Sequence, residues 1–413
     1  MELPFVQEII IYRLIIKKEK ILIIGLLTMR YDIMSNKIIK RKRGVKRYTL
    51  SRFDNQDYWL NNSVYKFIKS VNNFFNIKEC VVCSSLCVAP ETKTLTDQGY
   101  LRMSVLNNKE VNVWSGQKFT KTVVRKTSDR TKLLKIITDS GYWLYCTLYH
   151  KFNIYEHDDS KEVREVRAMD LKPGMNLVDF DLPVIEGDKD MLDPYINGFY
   201  TGDGCLTFCG QKVYLTGENK KLASIFTGGS EWSKDDENDR ISKHYKHLHI
   251  KFFVPDSTYT IKSRLDWLAG FADADGCIYR TESNQQLILS SVDNNFLEKI
   301  TLMLQTLGVM SKIKPENRES EKLSTVRIDN TDSKLYNCKA KYRLIIANNN
   351  LQRLLDLGIE FKRLVVERNH LRRNGKRFIQ ISSVVDDGRY DETYSFTEVE
   401  RGMGMFNGIL IGN

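Results

Sequence analysis

The chain has 413 residues, with 63 Lys+Arg against 52 Asp+Glu and a formal charge of +11. With 42% hydrophobic residues, 24 glycines and 7 prolines, it is neither disordered throughout nor fibrous nor low-complexity. The length suggests about two or three domains, and the basic excess points weakly to polyanionic partners such as nucleic acid.

In chain order, Phe5 to Met29 is the most apolar stretch. Arg13, Lys17, Lys18, Glu19 and Lys20 interrupt it, and the longest clean run is Ile21–Leu27. A spanning helix needs ~20 apolar residues, so a buried strand or helix is expected instead. A secretory signal carries its charges first and a small-residue cleavage site last; Leu27-Thr28-Met29-Arg30 offers neither. Lys40-Arg41-Lys42-Arg43, with Lys46 and Arg47, reads as a solvated basic loop, a nuclear signal or a phosphate patch. Eight cysteines are too sparse for a disulfide scaffold, so an intracellular, reducing compartment, cytoplasmic or nuclear, is expected. Cys80 and Cys83 have the spacing of half a zinc site, but no second pair completes it. Cys205 and Cys209 fare no better. His244, His247 and His249 read as a solvated loop or DNA-facing surface.

At Cys87 the texture changes. From 87 to 185, short apolar alternations are cut by Gln98-Gly99, Asn107-Asn108, Ser115-Gly116, Ser140-Gly141 and Pro173-Gly174. Val111–Trp114 and Leu133–Ile137 are predicted strands, which gives an all-β segment. From 186 to 375, apolar residues recur at helical spacing near Ile196–Tyr200, Leu265–Ala272, Phe296–Leu307 and Leu351–Leu357. Ile250–Val254 and Gln286–Ser290 are predicted strands between them, so this part is α+β. Residues 376–413 return to short alternations.

One repeat stands out. Ile196-Asn-Gly-Phe-Tyr-Thr-Gly-Asp-Gly204 aligns with Leu268-Ala-Gly-Phe-Ala-Asp-Ala-Asp-Gly276. In each copy an apolar helix runs into an acid followed by glycine, which permits a left-handed helix cap. Small residues (Gly198, Gly202, Ala269, Gly270) would let the two helices approach closely. Asp203 and Asp275 would then be adjacent carboxylates, an oxygen donor set suited to Mg²⁺ and to phosphodiester hydrolysis. Two like charges so close would themselves call for a cation.

Leu268–Gly276 resembles the signature of the LAGLIDADG homing endonucleases. The resemblance implies two pseudo-symmetric αββαββα-like halves in one chain, a monomer whose sheets form a saddle over double-stranded DNA. It implies Asp203 and Asp275 as metal ligands and Lys251, in His249–Pro255, as an active-site lysine. Lys251, Lys262, Arg264, Lys312, Lys314, Arg343 and Lys362 are expected to supply phosphate contacts.

The flanks resemble an intein, an all-β Hint-type splicing domain into which the endonuclease is inserted. Cys87–Thr96 resembles an intein start, Gly141–His150 carries its T-x-x-H element (Thr147, His150), and Ala168–Gly174 resembles a later strand entry. Phe406–Asn413 resembles the intein end. The implied organisation is an N-terminal host (extein) fragment, 1–86; splicing parts, 87–185 and 376–413; and an endonuclease, 186–375. The implied activities are autocatalytic splicing without a cofactor and site-specific, Mg²⁺-dependent cleavage of DNA. Cys87 would attack the preceding carbonyl, with His150 as acid tuned near neutral pH and Thr147 orienting the junction. Asn413 would cyclise through its side-chain amide. Gly412, Gly402 and Ser395 depart from this pattern, because each replaces a side chain that assists cyclisation. With the chain ending at Asn413, the downstream nucleophile is expected outside this polypeptide. The alternatives are a hedgehog-type self-cleaving module, and a DNA-binding or maturase protein without nuclease activity.

Overall fold

The computed structural model describes residues 87–156, 162–282, 284–317, 323–328, 332–337, 340–368 and 379–412, together with five strands before residue 87. The chain divides into two compact units, 1–80 and 81–413. In the first, Gln7–Ile11, Leu27–Asp32 and Lys37–Lys40 form an antiparallel sheet, and Leu14–Lys17 pairs with Lys20–Ile23. The apolar run is thus a set of short strands. Cys80, Cys83, residues 41–47 and Asn413 lie outside the described residues.

In the second unit, the regular elements among the described residues of 87–185 are strands, apart from one short turn of 3-10 helix at Ala168–Asp170. The predicted strands Val111–Trp114 and Leu133–Ile137 lie within Glu110–Trp114 and Arg125–Thr138. One sheet runs Ile409–Gly412, Met403–Phe406, Lys93–Thr96, Glu110–Trp114, Phe119–Val123. The long strand Arg125–Thr138 pairs with Trp143–Thr147 and also with Ile381–Val385 and Tyr390–Ser395. Tail strands therefore complete sheets begun some 300 residues earlier. Their apolar faces share one core, in which Val88, Val113, Ile136, Leu144 and Phe152 pack with Ile381, Phe406 and Ile411. Ala168–Gly174 is a turn, not a strand entry. From there to residue 185, among the described residues, there are isolated bridges, Asn176 to Gln380, Leu177 to Ile154 and Val184 to Leu307.

Between these strands lie four helices, α1 (Pro194–Asp203), α2 (Ile261–Asp275), α3 (Asn294–Gln305) and α4 (Asn348–Asp356). A four-stranded antiparallel sheet follows α1, in the order Gly204–Thr207, Gly210–Thr216, Arg240–Tyr245, Ser233–Asp235. A second follows α2, in the order Cys277–Thr281, Asn284–Ser291, Lys341–Ile346, Lys312–Asn317. The second repeat carries α3 and α4 on its sheet, whereas the first has a 3-10 helix, Gly217–Ile225, where α3 would stand. The repeats are therefore less alike than two αββαββα halves. Among the described residues, no helix is long and apolar enough to cross a membrane.

Ile250–Val254 is not a strand. The run is apolar but does not alternate between inside and outside. Ile250 is 78% exposed, Phe252 sits at φ +66, and Pro255 follows with no N–H to give a ladder. His244 lies on a strand rather than in a loop.

Candidate functional site

Two constellations draw the sequence-marked residues together. The first is the meeting of α1 and α2. A Cβ on Gly198 would stand 1.9 Å from the Trp267 carbonyl oxygen, and one on Gly270 would stand 2.0 Å from that of Tyr195. Only glycine permits this approach. Both helices end on their acids, Asp203 and Asp275. The glycines that follow are extended, Gly204 at φ −130 and Gly276 at φ −91, so the expected left-handed caps are absent. These glycines are set by space instead: a Cβ would meet Tyr200 Cδ2 at 2.2 Å in the first and Ala272 O at 2.6 Å in the second.

Cations close both helix ends, where the backbone dipole favours them. Lys251 Nζ donates to the carbonyls of Gly202, at 3.2 Å, and Gly204. On α2, Arg363 Nη2 donates to Ala272 O at 3.1 Å and to Gly276 O at 2.7 Å. Arg363 had no sequence signal, being one basic residue among many. The other motif acid, Asp273, is structural: fully buried, it accepts from Tyr195 Oη at 2.9 Å and from Leu364 N at 2.9 Å.

The two carboxylates face little neutralising charge for their burial. Burial first, and the Asp275 charge second, push Asp203 up to about 6. Burial also raises Asp275, with Lys251, Lys341 and Arg363 pulling the other way. Lys251 and Arg363 pull both carboxylates down, and Lys341 acts on Asp275 as well. Asp203 Oδ2 also accepts from Asn219 at 3.3 Å. A groove of about 650 Å³ opens beside them, with Gly202, Lys251, Asp275, Tyr279, Lys341 and Arg343 in its wall. Among the described residues, no three His, Cys, Asp or Glu converge on a metal position. The pair nevertheless fits a hard cation, since it offers oxygen donors whose burial favours a charge-neutralising partner and leaves remaining positions for water or phosphate.

Several expected phosphate contacts are otherwise engaged. Arg264 is fully buried and donates to Thr306 Oγ1 at 2.8 Å and to Ile185 O, so it is a packing residue. Lys262 pairs with Asp266 at 2.7 Å, Lys312 with Asp139 at 2.8 Å, and Lys362 with Glu360 at 2.8 Å. Arg343 pairs with Glu316 in the groove wall. The histidines do not cluster: His247 bonds Asp193 at 2.8 Å, and His249 stacks on Phe253 at 3.9 Å.

The second constellation surrounds Cys87. Its N–H donates to Thr147 Oγ1 at 3.3 Å, and Thr147 N–H donates to its carbonyl at 2.9 Å. Val88 bridges both Cys146 and Tyr394, which seats Cys87 between early and late strands. His150 is fully buried, and neither ring nitrogen has a hydrogen-bond partner. Burial pushes it down to about 4, with the backbones of Cys87 and Gly412 pulling the other way. The imidazole is therefore neutral, not poised near neutral pH, because Phe152 and Phe406 pack edge-on against it at 5.7 and 6.4 Å.

The departures from the intein pattern have local reasons. A Cβ on Gly412 would meet Lys151 O at 3.1 Å, Gly402 turns at φ +61, and Ser395 is buried at a strand end. Sequence reasoning missed Thr127, whose hydroxyl lies 3.0 Å from Cys87 Sγ.

A family model described as a LAGLIDADG-like domain matches residues 263–357, so this part of the chain carries that domain. The chain is 37% identical over 344 residues to the ribonucleoside-diphosphate reductase large subunit of Invertebrate iridescent virus 6, covering 80% of this chain and 36% of that protein. It is 24% identical over 396 residues to the ribonucleoside-diphosphate reductase NrdEB subunit alpha of Bacillus subtilis (strain 168), with the same shares. The chain thus spans about a third of the length of the curated relatives it matches, 36% in each case. Solved structures similar to parts of it include a Ssp DnaB mini-intein variant, at 13% identity and TM-score 0.20, covering 25% of this chain and 65% of that one. They also include I-DmoI in complex with DNA and Ca, at 12% identity and TM-score 0.26, covering 42% of this chain and 92% of that one.

Proposed function

We propose that residues 87–413 are a self-splicing element with an inserted DNA endonuclease, set in a ribonucleoside-diphosphate reductase large-subunit host. Residues 87–185 and 376–413 would form the splicing part, 186–375 the endonuclease, and 1–86 the host flank. The observation that carries this reading is the convergence of both ends of the segment on the stretch around His150: Thr147 N donates to Cys87 O at 2.9 Å, and a Cβ on Gly412 would stand 3.1 Å from Lys151 O. A simple DNA-binding or maturase protein has no need of that meeting. The host assignment rests on what the relatives are, ribonucleoside-diphosphate reductase large-chain proteins of which this chain spans 36%. The viral relative matches 80% of this chain, more than the residues ahead of Cys87 can supply, so the shared part reaches far into 87–413.

The splicing chemistry follows from the residues in place. Neutral His150 takes the Cys87 thiol proton, and the sulfur attacks the carbonyl of Leu86. As the C–S bond forms, the C–N bond breaks, and His150 returns the proton to the departing Cys87 nitrogen. A neutral ring suits both halves of this shuttle. Thr147 holds the same nitrogen through its hydroxyl. The acyl group would next pass from the Cys87 sulfur to a nucleophile on the residue after Asn413, and the Asn413 side-chain nitrogen would then attack its own carbonyl, closing a succinimide as the peptide bond to that residue breaks and the segment is released. In the endonuclease, Asp203 and Asp275 would hold Mg²⁺ through carboxylate oxygens; when bound, it activates water and offsets charge on the phosphate. Lys251 and Lys341 would meet the DNA backbone from the groove wall, each adding salt-sensitive affinity. Both halves reside in one chain, so the endonuclease would act as a monomer on duplex DNA.

Cys87→Ala should abolish thiol-induced release of residues 1–86, read by gel shift and mass spectrometry of the precursor; release at the wild-type rate would sink the assignment. Asp275→Asn should abolish Mg²⁺-dependent nicking of target duplex while sparing binding. Undiminished nicking would remove Asp275 from the chemistry.

A further inference from the structure

Thr127 lies on the long strand Arg125–Thr138, at a break in its pairing. Lys126 faces Tyr394 and Ser128 faces Thr393, and the register shifts between them. Thr127 is thus the extra residue of a β-bulge, a device that re-aims one side chain out of the ladder. Here it turns the hydroxyl toward the thiol. Thr127 Oγ1 stands 3.0 Å from Cys87 Sγ, 3.0 Å from the Thr393 carbonyl oxygen and 2.9 Å from Thr393 Oγ1. Val88 is bridged to Tyr394, which fixes Cys87 beside this bulge.

We infer that Thr127 is a positioning residue for the nucleophile, a hydroxyl rotor that follows the protonation state of Cys87. When its proton points to the Thr393 carbonyl, its oxygen accepts the thiol S–H and holds the sulfur in the site. When the thiol gives its proton to His150, the hydroxyl turns and donates to the thiolate, a charge-assisted bond stronger than a neutral one. The two 3.0 Å distances make either orientation available. Thr393 completes the device, since its own hydroxyl can donate to Thr127 while Thr127 serves sulfur. A threonine hydroxyl is too weak an acid or base to move the proton itself. The assignment therefore leaves the shuttle with His150 and deepens the proposed splicing reaction.

The test uses the full chain as Thr127→Val, which keeps shape and removes the hydroxyl, and Thr127→Ser, which keeps the hydroxyl. The pH profile of thiol-induced release should move upward by about one unit in Thr127→Val, with release about tenfold slower on its rising limb. Thr127→Ser should restore the wild-type midpoint. A second readout does not need the acyl shift: the ¹³Cβ resonance of Cys87, assigned by its loss in Cys87→Ala, titrates at higher pH in Thr127→Val than in wild type. Equal midpoints in wild type and folded Thr127→Val would overturn the inference, as would failure of Thr127→Ser to rescue. Absence of release from wild type would instead refute the splicing proposal, and the resonance titration would still decide the role of Thr127.

Discussion

Replacing Asp203 by Asn should stabilise the metal-free protein above neutral pH and leave it unable to gain from Mg²⁺. Asp203 ionises at about 6 in the fold, against about 3.9 in an unfolded chain. The folded state therefore holds the proton more tightly, and stability falls as pH rises from about 4 to about 6. The penalty is fully present above the folded value and absent below the unfolded one. About two pH units correspond to about 3 kcal/mol, and solvent screening at this partly exposed carboxylate brings that to about 1–2 kcal/mol. Asn removes the charge, so the gain should be of that size at pH 8 and vanish at pH 4. On the proposed metal role Mg²⁺ should reverse the order, because only ionised Asp203 would bind it, and the wild-type response should steepen as pH passes through about 6. The assay is calorimetric unfolding of both proteins at pH 4, 6 and 8, with and without Mg²⁺. A destabilised Asn variant at pH 8, or an equal Mg²⁺ response in both proteins, would refute the argument that burial and Asp275 set this carboxylate's charge.

Two further outcomes follow from the same helix pair. Gly198→Ala places a methyl 1.9 Å from the Trp267 carbonyl, so the helices must part, and a loss of about 3 kcal/mol is expected in chemical denaturation. Unchanged stability would mean the helices do not pack this closely. Lys251→Met removes the cation from the carbonyls of Gly202 and Gly204. It should slow DNA cleavage at least about tenfold while lowering stability by no more than about 1 kcal/mol. A large stability loss with normal cleavage would make Lys251 a helix cap alone.

How much of this was legible depended on whether the signal was local. The 72-residue repeat exposed Asp203 and Asp275 because acid, glycine and small residues recur in order, and that pattern needs no partner to be read. Helices near Ile196, Leu265, Phe296 and Leu351 were visible for the same reason. Ile250–Val254 misled because a short apolar run cannot report direction. Lys251 was found by resemblance, but its turn was not. Arg264 was misplaced because charge type does not reveal that a guanidinium can be buried against Thr306 and Ile185. The charge state of His150 could not be read because it is set by Phe152 and Phe406, the second of which is distant in sequence. Thr127 was invisible for the deepest reason: a bulge exists only relative to the strand opposite it.

The placement of the inserted helices bears on why such an element stays intact. Trp143 Nε1 donates to Glu298 on α3 at 2.9 Å, and Tyr142 Oη donates to Ser311 O at 2.7 Å. Lys312 meets Asp139 at 2.8 Å, and Ile313 N donates to Ser140 O at 2.9 Å. These bonds fall on the turn that opens the Trp143–Thr147 strand, which carries Thr147 and leads to His150. The same end of the strand is held by Asn407, whose amide donates to Trp143 O at 3.0 Å and accepts from Lys93 N at 2.8 Å. Removing α3 and its following loop would take Glu298 and the Ser311 carbonyl away from the half-buried Trp143 and the buried Tyr142, each a cost of about 1–3 kcal/mol where no water replaces them. The part that carries Asp203 and Asp275 therefore also supports the Trp143–Thr147 strand of the Cys87 site, and a chain shortened there would have to repack Tyr142 and Trp143 before His150 could return to its place.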